Sequence, residues 1–393
     1  MSKLDSRNDS IIDVLAAILL AKAAIATFSI APFLLGSYID YLELSPGQAS
    51  RVLSVEIFSI AAANILAAVF WIHKVRLRGL AVVLLLVLML LNIACTYTDG
   101  YWSLLGLRSL VGLVEGSLLA IGFSLLGSSL RPDRNFGLMF AISLGIGALN
   151  VRLLPLFLES AGASGLFVNL SLYCVAALVF SRRLPSGTIK SQMSKVQTAA
   201  SSSITLPVLG LAALLLANYV YFIGQGGLWS FMERWGLQQN LTLEVVANTL
   251  SWSLVAGVVG GLAAAWLDKR WGRTLPLLSS ILLAITAIFL LFKANTALLF
   301  VVAACLFTFV NNFGHPYILG LAASIDSSSR LTVLSGALHT AGQATGPLII
   351  GLLVSGQNYE NALWVALVFF ALSSFLLVPV MRMADKCQYE AAT

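Results

Sequence analysis

Five ionisable side chains, Lys22, Glu56, Arg108, Glu115 and Arg152, stand inside stretches that are otherwise apolar for about twenty residues. An uncompensated lysine at the centre of a membrane helix costs about 2.5–3.5 kcal/mol on insertion scales, so such residues point to function or to buried pairing. The chemistry open to them is simple. Glu115 and Glu56 can each gain and lose a proton, whereas Lys22 and Arg108 can hold an anion or neutralise one of those carboxylates. A proton and a solute anion competing for the same basic groups would be coupled. A second set is polar and uncharged. Asn218, Tyr221 and Gln225 are spaced by three and four and so share a helix face, and Asn311, Asn312 and His315 have the same spacing. These groups could bond a solute or bond between helices.

The elements that carry them are long and apolar. Of 393 residues, 59% are hydrophobic and 10% charged, against about 25% charged in an ordinary soluble domain. A soluble fold is excluded. Runs long enough to cross a hydrocarbon core of about 30 Å recur along the chain. Twelve are expected, at 11–37, 46–72, 78–98, 101–130, 135–158, 162–181, 205–231, 244–267, 274–293, 296–322, 331–355 and 359–382. The first is too long for a signal peptide and no small-residue cleavage site follows it. The cysteines at 95, 174, 305 and 387 form no CxxC pair, so neither a disulfide frame nor a zinc site is suggested. With no GxxxxGK[ST] loop, no HExxH and no nucleophile elbow, an enzyme is not expected, and no cofactor is called for.

Charge gives the orientation. Placing the N-terminus in the cytoplasm puts seventeen of the 23 lysines and arginines on that side and three, Arg51, Arg234 and Lys293, opposite. This positive-inside asymmetry predicts both termini in the cytoplasm. It also explains the net charge of +6 without nucleic acid as a partner. The stretch "SRRLPSGTIKSQMSKVQTAASSS" (181–203), basic and serine-rich with no acid, reads as a cytoplasmic linker.

The two parts that it joins are related. Shifting the chain by 195 residues lays "WIHKVRLRG" (71–79) over "WLDKRWGRT" (266–274), matching Trp71 with Trp266, Lys74 with Lys269 and Arg78 with Arg273. Repeated halves are characteristic of secondary transporters. "AAWLDKRWGR" (264–273) resembles the G-x-L-x-D-R-x-G-R loop of the major facilitator superfamily, with Ala264 for the first glycine. In the first-half copy, His73 replaces the acid and Leu77 the glycine. "RSLVGLVEG" (108–116) is similar to the helix-4 pattern R-x-x-x-G, and "GQATGP" (342–347) has the G-x-x-x-G-P form of a bendable, closely packed segment. The antiporter form of that motif, expected in helix 5, is not matched by "GIGALNVRLLP" (145–155).

The resemblance implies an all-α integral membrane protein with twelve transmembrane helices in two pseudo-symmetric six-helix bundles, 1–181 and 205–393, joined by a linker at 182–204. Helices 1, 4, 7 and 10 would then line a central cavity. Lys22 and Glu115 would lie at matching depth, the cost of Lys22 being offset by Glu115 or Glu56. Lys22, Arg108, Asn218, Tyr221, Gln225, Asn311, Asn312 and His315 would meet the solute, and Glu115 and Glu56 would carry protons. Asp268, Arg270, Gly272 and Arg273 would form a conformational latch. The expected function is secondary active transport of a small organic solute, anionic or amphipathic, by a proton-coupled monomer in the cytoplasmic (inner) membrane working by alternating access. A drug or metabolite efflux antiporter is the alternative. From another class, so is a membrane receptor or scaffold that binds without transporting.

Overall fold

The computed structural model describes residues 11–72, 75–98, 100–127, 129, 132–187, 208–267, 274–325, 330–354 and 358–392. The helices are α1 (Ile11–Asp40), α2 (Pro46–Leu66), α3 (Leu77–Cys95), α4 (Tyr101–Gly127), α5 (132–160), α6 (163–180), α7 (Val208–Gln238), α8 (Leu243–Leu267), α9 (Thr274–Phe292), α10 (Ala297–Ile325), α11 (Arg330–Leu353) and α12 (Glu360–Ala392). The run Pro132–Phe180 is divided by non-helical backbone at Ala161 and Gly162, where Gly162 has φ +56°. Glycine is suited to that left-handed turn. Beyond it α6 folds back on α5, and Asn150 and Asn169 exchange two amide hydrogen bonds of 2.8 and 3.0 Å across the pair. Ten helical stretches among the described residues are long and apolar enough to cross a membrane, one of them containing both α5 and α6.

Helix boundaries follow local chemistry. Ser45 caps α2, accepting from the Gln48 N–H while the Gln48 side chain accepts from the Ser45 N–H, a capping box with Pro46 in the first turn. Prolines lie inside α1, α5, α10, α11 and α12. At Pro316 the helix is not interrupted: α10 runs through it.

Packing in a membrane depends on close contact rather than on exclusion of water, so small residues decide which helices meet. Gly112 of α4 lies against the Glu56 carbonyl of α2, and Gly346 of α11 against Ile223 and Gly227 of α7. A side chain at either position would collide with backbone. Gly227 in turn lies against Gly346 and Ile350, so the small residue admits α11 to α7.

The first six helices meet the last six along α2 with α11, α5 with α8 and α1 with α7. Ser251 of α8 donates to the Ala148 carbonyl of α5 at 2.8 Å, and Trp229 of α7 to the Phe28 carbonyl of α1 at 2.9 Å. Gly47 of α2 lies against Gly351 of α11. At the C-terminal ends of α1 and α7, Arg234 binds Asp40 through Nη1 at 2.8 Å and through Nη2, and Nε binds Glu233 at 2.6 Å. Arg234 was expected in a loop. It sits instead in the last two turns of α7, buried by the α1 contact.

Candidate functional site

A cluster of charged groups is sealed within the first six helices. Arg108 of α4 and Glu56 of α2 are both fully buried, and Glu115 of α4 is 1% exposed. Arg108 donates from Nε to Glu56 Oε2 at 2.8 Å, from Nη2 to Glu56 Oε1, and from Nη1 to Asn92 Oδ1 of α3 at 2.9 Å. This two-pronged grip is the geometry that a planar guanidinium offers a carboxylate. The Arg108 guanidinium also lies 5.7 Å from the centre of the Phe167 ring of α6.

Thr27 of α1 joins the second acid to the first. Its Oγ1 stands 2.9 Å from Glu56 Oε1 and 3.0 Å from Glu115 Oε1. One hydroxyl hydrogen serves two carboxyl groups, so Thr27 donates to one of them at a time. The other oxygen of Glu115, Oε2, is buried and has no hydrogen-bond partner among the described residues. Gly112 is what permits this arrangement. Because α4 approaches the α2 backbone at Glu56, the arginine one turn before that glycine grips the Glu56 carboxylate, and the glutamate one turn after it reaches the same threonine as Glu56 does. The shared face of Arg108 and Glu115 was legible from their seven-residue spacing. Thr27 and Asn92 were missed, because a lone threonine or asparagine in a span carries no signal of its own.

Lys22 departs from expectation. It makes no ion pair with Glu115 or Glu56. Its Nζ donates to Ser29 Oγ at 2.8 Å and stands 5.4 Å from the centre of the Tyr173 ring of α6. Helix geometry gives the reason. Thr27, which faces the carboxyl pair, is about 140° around α1 from Lys22, whereas Ser29 is only about 20° away. Equal depth did not mean an equal face. Arg152 likewise is not drawn into the bundle: its side chain is exposed on α5.

The second six helices hold a polar set without charge. Asn218 donates to the Ser335 carbonyl of α11 at 2.8 Å, and Tyr221 to Asn311 Oδ1 of α10 at 2.7 Å. Asn312 bonds back to the Thr308 carbonyl of its own helix at 2.9 Å, and its amide is the nearest side-chain group to Gly257 of α8. Gln225 accepts from Gln343 of α11 at 3.1 Å. The His315 and His339 rings meet edge to face with centres 4.6 Å apart, and Phe222 stacks on His339 at 3.7 Å. His315 Nε2 is buried without a hydrogen-bond partner among the described residues. Phe222, Gln225, His315, His339 and Gln343 thus form one patch where α7, α10 and α11 converge. Residues 268–273, with the expected latch of Asp268, Arg270, Gly272 and Arg273, lie outside the described residues, as does most of the linker. Arg78, in the first-half copy of that loop, donates to the Leu184 carbonyl just beyond α6 at 2.6 Å.

Comparison with known proteins agrees with this architecture. A Haemophilus influenzae protein named, only provisionally, as a metabolite transport protein is 22% identical over 382 residues, covering 89% of this chain and 91% of its own. A crystal structure of a POT family transporter in complex with 5-aminolevulinic acid has a TM-score of 0.74 at 13% identity, covering 95% of this chain and 96% of that one. A mutant of the nucleoside transporter NupG has a TM-score of 0.73 at 13% identity, over 95% and 99% of the two chains. At such identities the likeness is one of fold. The model of the Major Facilitator Superfamily matches residues 16–337, and with that match over most of the chain, the protein belongs to the major facilitator superfamily of membrane transporters.

Proposed function

We propose that the protein moves a small organic solute, anionic or amphipathic, across the cytoplasmic membrane by alternating access, with the Glu56–Glu115 pair as its proton carrier. The observation that carries the coupling is the sharing of Thr27 by two buried carboxyl groups that have one guanidinium between them. With both carboxyls ionised the cluster bears a net negative charge inside the bilayer. With one proton it is neutral. Moving that proton changes the charge at the junction of α1, α2 and α4, and the hydroxyl of Thr27 turns from one acid to the other as it does so.

In this reading the two halves, 1–181 and 205–393, rock against each other about the linker, with both termini in the cytoplasm. The end sealed by Asp40 and Arg234 is then the outer one, and the structure is closed to the outside. Asp268, Arg270, Gly272 and Arg273 would latch the opposite end. Lys22, Gln225 and His315 would meet the solute, while Arg108, Asn218, Tyr221, Asn311 and Asn312 shape the walls through the bonds described. The transporters with similar folds are named for nucleosides or solved with 5-aminolevulinic acid, which supports a solute of that size.

Purified protein in liposomes, offered organic acids and amphiphiles with and without a pH gradient, tests the proposal. Uptake should follow the gradient and lose that dependence in Glu115→Gln. Unchanged gradient-driven uptake in that variant would remove Glu115 from the mechanism.

A further inference from the structure

We infer that Lys22, Ser29 and Tyr173 form a subsite for a carboxylate, so that the transported solute is an organic acid; this rests on the transport function proposed above. Lys22 is 1% exposed, yet no acidic side chain among the described residues pairs with it. The two acids at its depth are occupied elsewhere. Glu56 is held by Arg108, and Glu115 faces Thr27 on another side of α1. An ammonium has three hydrogens, and among the described residues only Ser29 is within reach of one of them. Burying a charge with a single neutral partner is costly, and a hydrophobic residue would serve packing better.

Two further groups complete the cradle. The hydroxyl of Tyr173, whose ring lies beside the Lys22 ammonium, is itself buried without a hydrogen-bond partner among the described residues. The hydroxyl of Ser29 accepts from Lys22 and keeps its own hydrogen to donate. An ammonium and two hydroxyls offer donors and positive charge with no carboxylate to compete, which is what a carboxylate requires. The place suits a transported ligand. Ser29 packs on Gly147 of α5, and a side chain at Gly147 would also touch Leu254 of α8, so the cradle lies beside the seam between the two halves. As the seam opens, the ammonium turns from Ser29 to the incoming carboxylate.

The test uses the full chain in lipid nanodiscs and follows thermal unfolding with benzoate, lactate or succinate, each against its neutral amide. At least one acid should raise the unfolding temperature while its amide does not. The shift should vanish in Lys22→Met, and the apparent affinity should fall about tenfold in Tyr173→Phe, equivalent to about 1.4 kcal/mol. Should Lys22→Met fail to fold, Ser29→Ala and Tyr173→Phe must each weaken the acid's effect. Equal stabilisation by the amide, a shift that survives these substitutions, or no shift with any acid would overturn the subsite. Counterflow in liposomes separates this from the larger reading. An acid that binds through Lys22 but never crosses would sink transport and leave the subsite standing, whereas flux of an uncharged solute with no acid bound would do the reverse.

Discussion

Arg234 of α7 grips Asp40 of α1 with both terminal nitrogens while its Nε is held by Glu233, so one guanidinium joins the first six helices to the last six at the C-terminal ends of α1 and α7. Asp40 is 47% exposed and Arg234 8%. Solvent screening therefore limits the coupling of the pair to about 1 kcal/mol. That is enough to shift a conformational equilibrium several-fold. Asp40→Asn should populate the state open at this end. In a cysteine-free background, the thiol of Ser50→Cys, on a fully buried position of α2 packed against Gly351 of α11, should react faster with a maleimide in Asp40→Asn. Exchanging the charges, Asp40→Arg with Arg234→Asp, should restore part of the protection.

The two buried glutamates should respond unequally to loss of charge. Glu56→Gln leaves the fully buried Arg108 without its counter-ion and should cost about 3–5 kcal/mol of stability, read as a large fall in unfolding temperature. Glu115→Gln keeps an acceptor for Thr27 and imitates a protonated acid. Its stability should stay within about 1 kcal/mol of the parent. Adding Arg108→Met to Glu56→Gln should restore much of the loss, because the orphaned charge is gone. A Glu56→Gln protein as stable as Glu115→Gln would contradict the pairing seen here.

The difference between these glutamates marks the limit of what the sequence discloses. The number of long apolar runs, the linker composition and the loop at 264–273 were enough to anticipate the superfamily, and the seven residues between Arg108 and Glu115 make two helical turns, which sets both on one face. What failed was the angle between helices. Lys22 matches Glu115 in depth, but the rotation of α1 turns Lys22 toward α6 and Thr27 toward the acids. Rotation is set by packing against neighbours, through residues such as Gly112 and Gly147, which a single sequence does not tie to their partners. Arg234 shows the same limit at a helix end. Its charge suggested a loop, whereas α7 continues past it, with Arg234 held by Asp40 and Glu233 and the next residue, Trp235, donating to the Leu291 carbonyl.

Glycines on α4 should divide by what they face. A methyl at Gly112 would press on the Glu56 carbonyl, whereas nothing lies within 4 Å of one at Gly106. Gly112→Ala should cost about 1–3 kcal/mol through displacement of α4 from α2. Gly106→Ala should be neutral or stabilising by about 0.5–1 kcal/mol, from helix propensity alone. The paired unfolding temperatures check both. Loss of transport in Gly112→Ala should accompany the fall, since the same contact aligns Arg108, Glu56 and Glu115.

In the second half, the bonds already made separate residues that build the wall from those free to meet a solute. Tyr221 donates to Asn311 deep between α7 and α10 and is 1% exposed. Tyr221→Phe should lower stability by about 0.6 kcal/mol, the average for an interhelical hydrogen bond in a membrane, and leave the KM of transport unchanged. Among the described residues Gln225, half-buried, is bonded only to Gln343, and His315 presents an unpartnered Nε2 on the same α7, α10 and α11 patch. Gln225→Ala and His315→Ala should therefore raise KM about tenfold with little loss of stability. Liposome uptake at graded solute concentration reads the difference, and a KM that moved with Tyr221→Phe but not with His315→Ala would place the solute on the other side of α7.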